Sequence, residues 1–226
     1  MWKTSLDRKT VMAVSGLFLI GFLIAHLLGN LQIFLGQEWL NSYAQHLEDL
    51  PLLVIPVNAI LLAAFLAHVS TAVLLSAQNR AARPITYAYK KTVQATLASR
   101  TLPITGLVIF LFVVYHLLHY TWGVAHPQYF HLTDAKGRHD VYSMVVLGFQ
   151  NAPISAVYVT ALLVLSVHVG HGASSFLQTL GLTPRGAQKK FRLAGQLFGW
   201  LLFFAYAAIP VSVLAGWLAP LQGGPS

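Results

Sequence analysis

The chain contains no cysteine and very little charge. Without cysteine it can form no disulfide, no thiolate metal site and no cysteine-ligated iron–sulfur cluster. Only 9% of its 226 residues are charged and 56% are hydrophobic, whereas about a quarter of the residues of an ordinary soluble domain carry charge. This composition excludes a disordered chain and argues against a water-soluble domain. What the chain does contain is ten histidines, an unusual number for so apolar a sequence.

Five stretches are long and apolar enough to cross a bilayer, which takes about 20 residues. They cover approximately residues 11–35, 52–77, 102–124, 154–177 and 193–218. The first is too long for a secretory signal peptide and lacks a small-residue cleavage site. Because lipid offers the backbone no hydrogen-bond partner, each stretch is predicted to be a helix. We therefore predict an all-α integral membrane protein, a single domain of five transmembrane helices.

The basic residues lie almost entirely on one side of these spans. Twelve of the fourteen precede the first span, join the second to the third, or join the fourth to the fifth: Lys3, Arg8, Lys9, Arg80, Arg83, Lys90, Lys91, Arg100, Arg185, Lys189, Lys190 and Arg192. The other side carries only Lys136 and Arg138. The positive-inside rule then predicts a cytoplasmic N-terminus and a C-terminus outside. The basic excess is a topology signal and does not indicate nucleic-acid binding.

The two connections on the outer side differ in character. Residues 36–51 are short and acidic, while residues 125–151 are long and rich in histidine, tyrosine and phenylalanine. A connection of the second length is expected to contain short structured elements of its own. No internal repeat or low-complexity segment is evident along the chain.

Six histidines fall inside the predicted spans: His26, His68, His116, His119, His168 and His171. Ionisable residues at this depth are costly and usually functional, although a single one can simply hydrogen-bond a neighbouring helix. His26 and His116 lie past the middle of outward-running spans, about 4 Å toward the outer surface at 1.5 Å per residue. His68 and His168 lie a similar distance toward the inner surface. The chain thus offers one histidine pair at each of two levels.

Two histidines from facing helices are what a haem b with two imidazole ligands requires. Such a haem is not covalently attached, so it needs no C-x-x-C-H motif. Two of them at two depths would form an electron path across the bilayer. Zinc is the competing metal, but it would require three or four ligands at one level. The fifth span has no histidine and is expected to pack beside a haem-binding core of four helices.

His119 and His171 each lie three residues after a proposed ligand and share its helix face. Either member of each pair could therefore bind iron, while the other could hydrogen-bond a haem propionate or a quinone. Depth alone does not distinguish between them.

Several motifs, in this order along the chain, resemble those of one known family. They are Arg8-Lys9, Met12-Ala13 and Ser15-Gly16-Leu17-Phe18 leading to His26-Leu27-Leu28-Gly29-Asn30; Asn41-Ser42-Tyr43-Ala44 and Leu50-Pro51; Thr105-Gly106 followed by nine residues and His116; and His168-x-x-His171-Gly172 with Phe176 and Thr183-Pro184-Arg185. Together they span nearly the whole chain. The sequence resembles the cytochrome b558 membrane-anchor subunit of succinate dehydrogenases and fumarate reductases, of the type with five helices and two haems.

The resemblance implies which histidines bind iron. It pairs His26 with His116 at an outer, distal haem, and His68 with His168 at an inner, proximal haem. It implies that electrons pass between a membrane quinone, two haems b and an iron–sulfur subunit on the cytoplasmic face. That subunit would partner a flavoprotein that interconverts succinate and fumarate, in a prokaryotic cytoplasmic membrane. This chain itself would hold no dicarboxylate site.

The resemblance places the quinone near the distal haem, beside the end of the first helix. A quinol releases protons as it loses electrons, so Glu48 is predicted as the proton acceptor. A solvated loop acid, or the neighbouring Asp49, is the alternative. His46 and His119 are further candidates for a hydrogen bond to the quinone. Menaquinone is expected rather than ubiquinone, yet Ser166 stands where some menaquinol-oxidising relatives carry glutamate, which puts a proton route through that acid in doubt.

Two other functions remain open from the sequence. One is a di-haem cytochrome b of a hydrogenase or formate dehydrogenase, which would differ in its partner subunits. The other is a haem-free transporter with polar histidines inside the membrane, which would lack a b-type absorption band.

Overall fold

The structure is a computed structural model that describes residues 5–82, 97–184 and 186–220. Within these ranges the backbone is almost entirely helical, and the only bridge joins Thr133 to His139. The helices are α1 (Ser5–Asn30), α2 (Gln37–Glu48), α3 (Pro51–Ala81), α4 (Leu97–His116), α5 (Pro127–Phe130), α6 (Val141–Gln150), α7 (Ala152–Thr179) and α8 (Gln188–Leu214). A 3₁₀ turn, Leu31–Leu35, extends α1, and a π-helical turn, Leu117–Thr121, extends α4.

The predicted all-α architecture with five transmembrane helices is confirmed. The membrane-spanning helices are α1, α3, α4, α7 and α8, and large apolar side chains are exposed along them, where lipid would cover them. Both α3 and α8 extend several residues beyond the predicted spans, into segments that carry Arg80 and Lys189. Hydropathy detects only the part of a helix inside the hydrocarbon, so polar helix ends escape it.

Four helices form the bundle that bears the intramembrane histidines. Helix α1 packs against α3 and α7, and α4 packs against α7. Among the described residues, the diagonal pairs α1–α4 and α3–α7 approach each other at isolated points at most. The bundle therefore has two diagonals that side chains, rather than direct helix packing, must span.

Helix α8 lies beside this bundle, as predicted, and is tightly packed along α7. Small residues form the contact: a Cβ atom at Gly195 would overlap the carbonyl oxygen of Gly170, and one at Gly199 would overlap that of Ser166. Such close backbone approach is typical of helix pairs in membranes. Helix α8 also reaches α1, because the Tyr206 hydroxyl donates to the Leu23 carbonyl at 2.7 Å.

A cap covers the end of the bundle at which α1 and α4 finish. It consists of α2, α5, α6 and residues 131–140, so both connections that were predicted on the outer side contain helices of their own. Asn41 on α2 is fully buried, and its amide donates to Asp134 at 3.1 Å and to Asp140 at 2.9 Å. Asp140 also accepts from the backbone N–H of Ser143 and so begins α6. These bonds hold α2 against the segment that leads into α6.

Ion pairs reinforce the cap on its surface. Arg138 contacts Glu38 at 2.8 Å and Asp134 at 2.6 Å, and Lys136 contacts Glu38 at 2.7 Å. Hydrogen bonds from Arg138 and then Lys136 lower the pKa of Glu38 from 4.5 to about 2. Burial raises the pKa of Asp134, but hydrogen bonds from Arg138 and Asn41 outweigh it and lower that pKa to about 2.

The cap is expected to loosen in acid. Because both carboxyls have a lower pKa folded than unfolded, their stabilisation is present above about pH 5 and is lost as the pH falls toward 2. Hydrogen-exchange protection of the amides of residues 133–142 should therefore fall between pH 5 and pH 3. Arg138→Gln should reduce protection at pH 6 and flatten this dependence. Equal protection of the wild-type amides at pH 6 and pH 3 would contradict the role of these ion pairs.

Candidate functional site

Two pairs of imidazole rings meet across the two diagonals of the bundle. His26 on α1 faces His116 on α4, with ring centroids 5.8 Å apart and ring planes at 88°. His68 on α3 faces His168 on α7, with centroids 6.4 Å apart and planes at 69°. The structure thus brings together the same two pairs that were predicted from the sequence.

The spacing of each pair matches that of two imidazoles bound to one metal ion. A metal–nitrogen bond is about 2 Å long and a ring nitrogen lies about 1 Å from the ring centre, so the two centroids would be about 6 Å apart. Edge-to-face stacking alone allows a similar range, so the hydrogen bonds of the rings are more informative. No three His, Cys, Asp or Glu side chains converge on a metal-sized site within the described residues, which disfavours zinc.

Three of the four rings have a hydroxyl group at Nδ1. Ser15 lies 3.4 Å from Nδ1 of His68, Thr105 lies 3.1 Å from Nδ1 of His168, and Tyr158 lies 3.4 Å from Nδ1 of His116. Among the described residues, no hydroxyl forms a hydrogen bond with Nε2 of these three rings. A metal-bound histidine is normally oriented by such a partner on its other nitrogen.

The hydroxyl protons of Ser15 and Thr105 are already used in hydrogen bonds to backbone carbonyls. Ser15 donates to the Val11 carbonyl at 2.6 Å, and Thr105 donates to the Leu102 carbonyl at 3.1 Å. Each oxygen can therefore only accept from the histidine, which places the proton of the neutral ring on Nδ1. The lone pair is then on Nε2, where a metal ion would bind. The donor set consequently fits iron between His68 and His168, while at His26 and His116 the fit rests on the ring spacing and on the Tyr158 contact.

Glycines follow these hydroxyl residues and let the imidazoles approach. A Cβ atom at Gly16 would lie 3.3 Å from Cε1 of His68, and one at Gly106 would lie 3.6 Å from Cε1 of His168. Ser15-Gly16 and His26 have the same spacing as Thr105-Gly106 and His116. Helices α1 and α4 share this short pattern although the sequence has no longer internal repeat, and the pattern is a sequence signal for the two hydroxyl residues.

The two pairs lie farther apart along the bundle than the sequence predicted. Ser15 marks the level of His68 on α1, and His26 follows it by eleven residues, or about 16 Å at 1.5 Å per residue. Thr105 and His116 give the same separation on α4. The histidine depths predicted from the sequence implied about half of this distance, so the predicted separation was wrong. The prediction took the centres of α1 and α4 from hydropathy, which misses their polar beginnings.

His119 and His171 do not join the pairs. His119 is fully buried in the π-helical turn, where its Nδ1 contacts the Tyr158 hydroxyl at 3.0 Å and its ring stacks on Tyr120. His171 is half-buried on α7, one turn beyond His168. Among the described residues it is therefore His116 that faces His26, and His168 that faces His68.

The predicted quinone residues are divided between surface and interior. Glu48, Asp49 and His46 are exposed at the end of α2, and Asp49 accepts from the Gln45 amide at 3.0 Å. His119 is enclosed beneath α6. Ser166 is buried at the α7–α8 contact, with its hydroxyl bonded to the Leu163 carbonyl. Their roles in quinone chemistry stay predictions.

Exposed basic side chains lie at the end of the bundle opposite the cap, which we call the basic end. The described ones are Lys9, Arg80, Lys189, Lys190 and Arg192, and Arg8 is half-buried beside them. Others predicted on this side lie outside the described residues: Lys3, Arg83, Lys90, Lys91, Arg185 and the side chain of Arg100.

Fold and site together define a multi-pass α-helical membrane protein with two histidine pairs inside the membrane. Comparison of the chain with protein-family models, with curated proteins and with solved structures finds no match.

Proposed function

We propose that the chain is the di-haem b membrane anchor of a succinate:quinone or quinol:fumarate oxidoreductase. The observation that carries this proposal is the pair of histidine diagonals, each with the ring spacing of a shared metal ion. The hydroxyl contacts at Nδ1 support it, since they favour the tautomer that binds iron through Nε2. When bound, the two haems supply reversible one-electron chemistry.

The two histidine pairs would hold the two haems at different levels of the bundle. His26 and His116 bind the haem beneath the cap, and His68 and His168 bind the haem toward the basic end. A macrocycle would be held across the diagonals of the bundle, where the helices do not pack directly on each other. Ser15 and Thr105 orient the second pair, while Tyr158 contacts His116.

The charge distribution favours the basic end as cytoplasmic and the cap as outside. An iron–sulfur subunit, partnered by a flavoprotein, would dock on the exposed lysines and arginines of the basic end. The chain would then lie in a prokaryotic cytoplasmic membrane, with its N-terminus inside and its C-terminus outside. Electrons would pass between that subunit and the quinone by way of the two haems.

Quinone chemistry is assigned to the end of the bundle near the cap. Glu48, exposed at the end of α2, is the proposed proton acceptor or donor. His46 is the accessible candidate for a hydrogen bond to a quinone carbonyl, since His119 is enclosed. Menaquinone remains the expected quinone.

Purification of the tagged chain from its native membrane in mild detergent tests this function. We expect a flavoprotein and an iron–sulfur subunit to co-purify, and the complex to reduce quinone with succinate or fumarate with quinol. Co-purification of a nickel or molybdenum enzyme would instead indicate a hydrogenase or formate dehydrogenase cytochrome. A purified chain without a b-type absorption band would favour a transporter.

Glu48→Gln is expected to lower quinone turnover about 10²-fold, because proton transfer by a positioned side chain contributes about that much. Haem content should be unchanged. Asp49→Asn is the matched control on the neighbouring residue and should retain turnover. Equal loss of turnover in both variants, or in neither, would remove Glu48 from the proposed role.

A further inference from the structure

Tyr158 on α7 occupies a position shared by two histidines of α4 and its π-helical turn. Its hydroxyl lies 3.4 Å from Nδ1 of His116 and 3.0 Å from Nδ1 of His119. The side chain is 4% exposed. It thus links a proposed iron ligand to a buried histidine that the proposed function does not use.

The hydroxyl of Tyr158 has a single proton, so it can donate to only one of the two histidines. This fixes the direction of the hydrogen bonds from His116 through Tyr158 to His119. If His116 offers Nε2 to iron, its Nδ1 carries the proton and donates to the oxygen of Tyr158. Tyr158 then donates to Nδ1 of His119, which must carry its own proton on Nε2. That nitrogen is buried without a hydrogen-bond partner among the described residues. His119 is therefore the last acceptor in this series of hydrogen bonds.

Within the described residues, no second imidazole is hydrogen-bonded to the hydroxyl partners of the pair at the basic end. Ser15 and Thr105 donate to backbone carbonyls of their own helices, so the hydrogen bonds of His68 and His168 end on the backbone. A hydroxyl whose proton is bonded to an imidazole becomes a polarised acceptor, since hydrogen bonds in series strengthen one another. The two haem sites thus differ in the environment of one ligand.

We propose that Tyr158 is a positioning residue that, with His119, sets the redox potential of the haem beneath the cap separately from that of the other haem. The inference rests on the proposed function. A stronger acceptor at Nδ1 makes His116 a better electron donor to iron, which stabilises the ferric state and lowers the potential. It also fixes the orientation of the imidazole ring.

The aromatic neighbours of Tyr158 allow its hydroxyl to be removed without disturbing the packing of its ring. The Tyr158 ring contacts Phe149, Phe112 and Tyr115 at centroid distances of 4.9, 5.0 and 5.9 Å. These contacts depend on the ring and not on the hydroxyl. Tyr158→Phe should therefore keep the packing of α7 while removing only the hydrogen bonds.

The experiment is a redox titration of the b-type absorbance of the purified complex, with the low-spin iron signals recorded in parallel. Tyr158→Phe is expected to raise the potential of the haem that His26→Ala removes, to alter its signal, and to leave the other haem unchanged. His119→Leu should shift the same potential in the same direction by a smaller amount. Thr105→Val should raise only the other potential.

Tyr115→Phe is the matched control, because its hydroxyl contacts His126 and no proposed ligand. Both potentials should stay at their wild-type values in this variant. A two-haem complex in which Tyr158→Phe shifts neither potential, or both equally, would overturn this inference and leave the proposed function intact. A wild-type chain that binds no haem would overturn both.

Discussion

Replacing His116 with alanine is expected to remove one haem and leave the other in place. Each iron would be held in the chain by two imidazoles, so loss of one leaves too weak a site. His68 and His168 lie about 16 Å from this pair, measured along the axes of α1 and α4. They share no ligand with His26 and His116 and should keep their haem. The haem content, measured as the pyridine complex, should fall from two per chain to one.

The other histidines give the matched comparisons. His26→Ala should produce the same single-haem protein, and combining it with His116→Ala should cause no further loss, because both residues bind one iron. His68→Ala and His168→Ala should remove the other haem. His171→Ala, one turn from His168, should keep two haems. Loss of both haems in His116→Ala, or of neither, would break the proposed pairing.

Replacing Gly199 with alanine is expected to destabilise the protein by about 1–3 kcal/mol, the usual cost of overpacking a tight interior. Its Cβ would overlap the Ser166 carbonyl oxygen, which is backbone and cannot rotate away. Helices α7 and α8 would have to separate. Since Ser166 and Gly170 flank His168, we also expect weaker retention of its haem. Thermal unfolding in detergent measures the first effect and haem content the second.

Gly172→Ala provides the control on the same helix pair. No atom of another described element lies within 4 Å of a Cβ atom at this position, so alanine should be neutral or stabilising by up to about 1 kcal/mol through a less flexible unfolded chain. If Gly199→Ala is as stable as Gly172→Ala, the close α7–α8 contact does not exist in the membrane.

Hydropathy predicted the five helices, because burial in lipid requires long apolar stretches whatever their neighbours. It did not predict where α1 and α4 begin, since polar helix ends lie outside the hydrocarbon. The separation of the two histidine levels was underestimated for that reason. The pairing itself followed because each of the four histidines lies past the middle of its span and the spans alternate in direction, which a small error in the helix ends does not change.

Contacts between distant parts of the chain were beyond the sequence. Asn41 contacts Asp140, 99 positions further along the sequence. The contact between Tyr158 and His116 was not predicted, because it depends on how α4 and α7 are rotated about their axes. Hydropathy sets no such rotation. Ser15 precedes His26, and Thr105 precedes His116, by eleven residues, so the sequence does carry a signal for these two hydroxyl residues.

The haem content of the purified wild-type chain tests the central claim most directly. We predict two haems b per chain, both low-spin with two imidazole ligands, titrating as two components in a redox titration. A chain that is folded and helical in detergent but binds no haem, or binds one haem that requires all four histidines, would contradict the account.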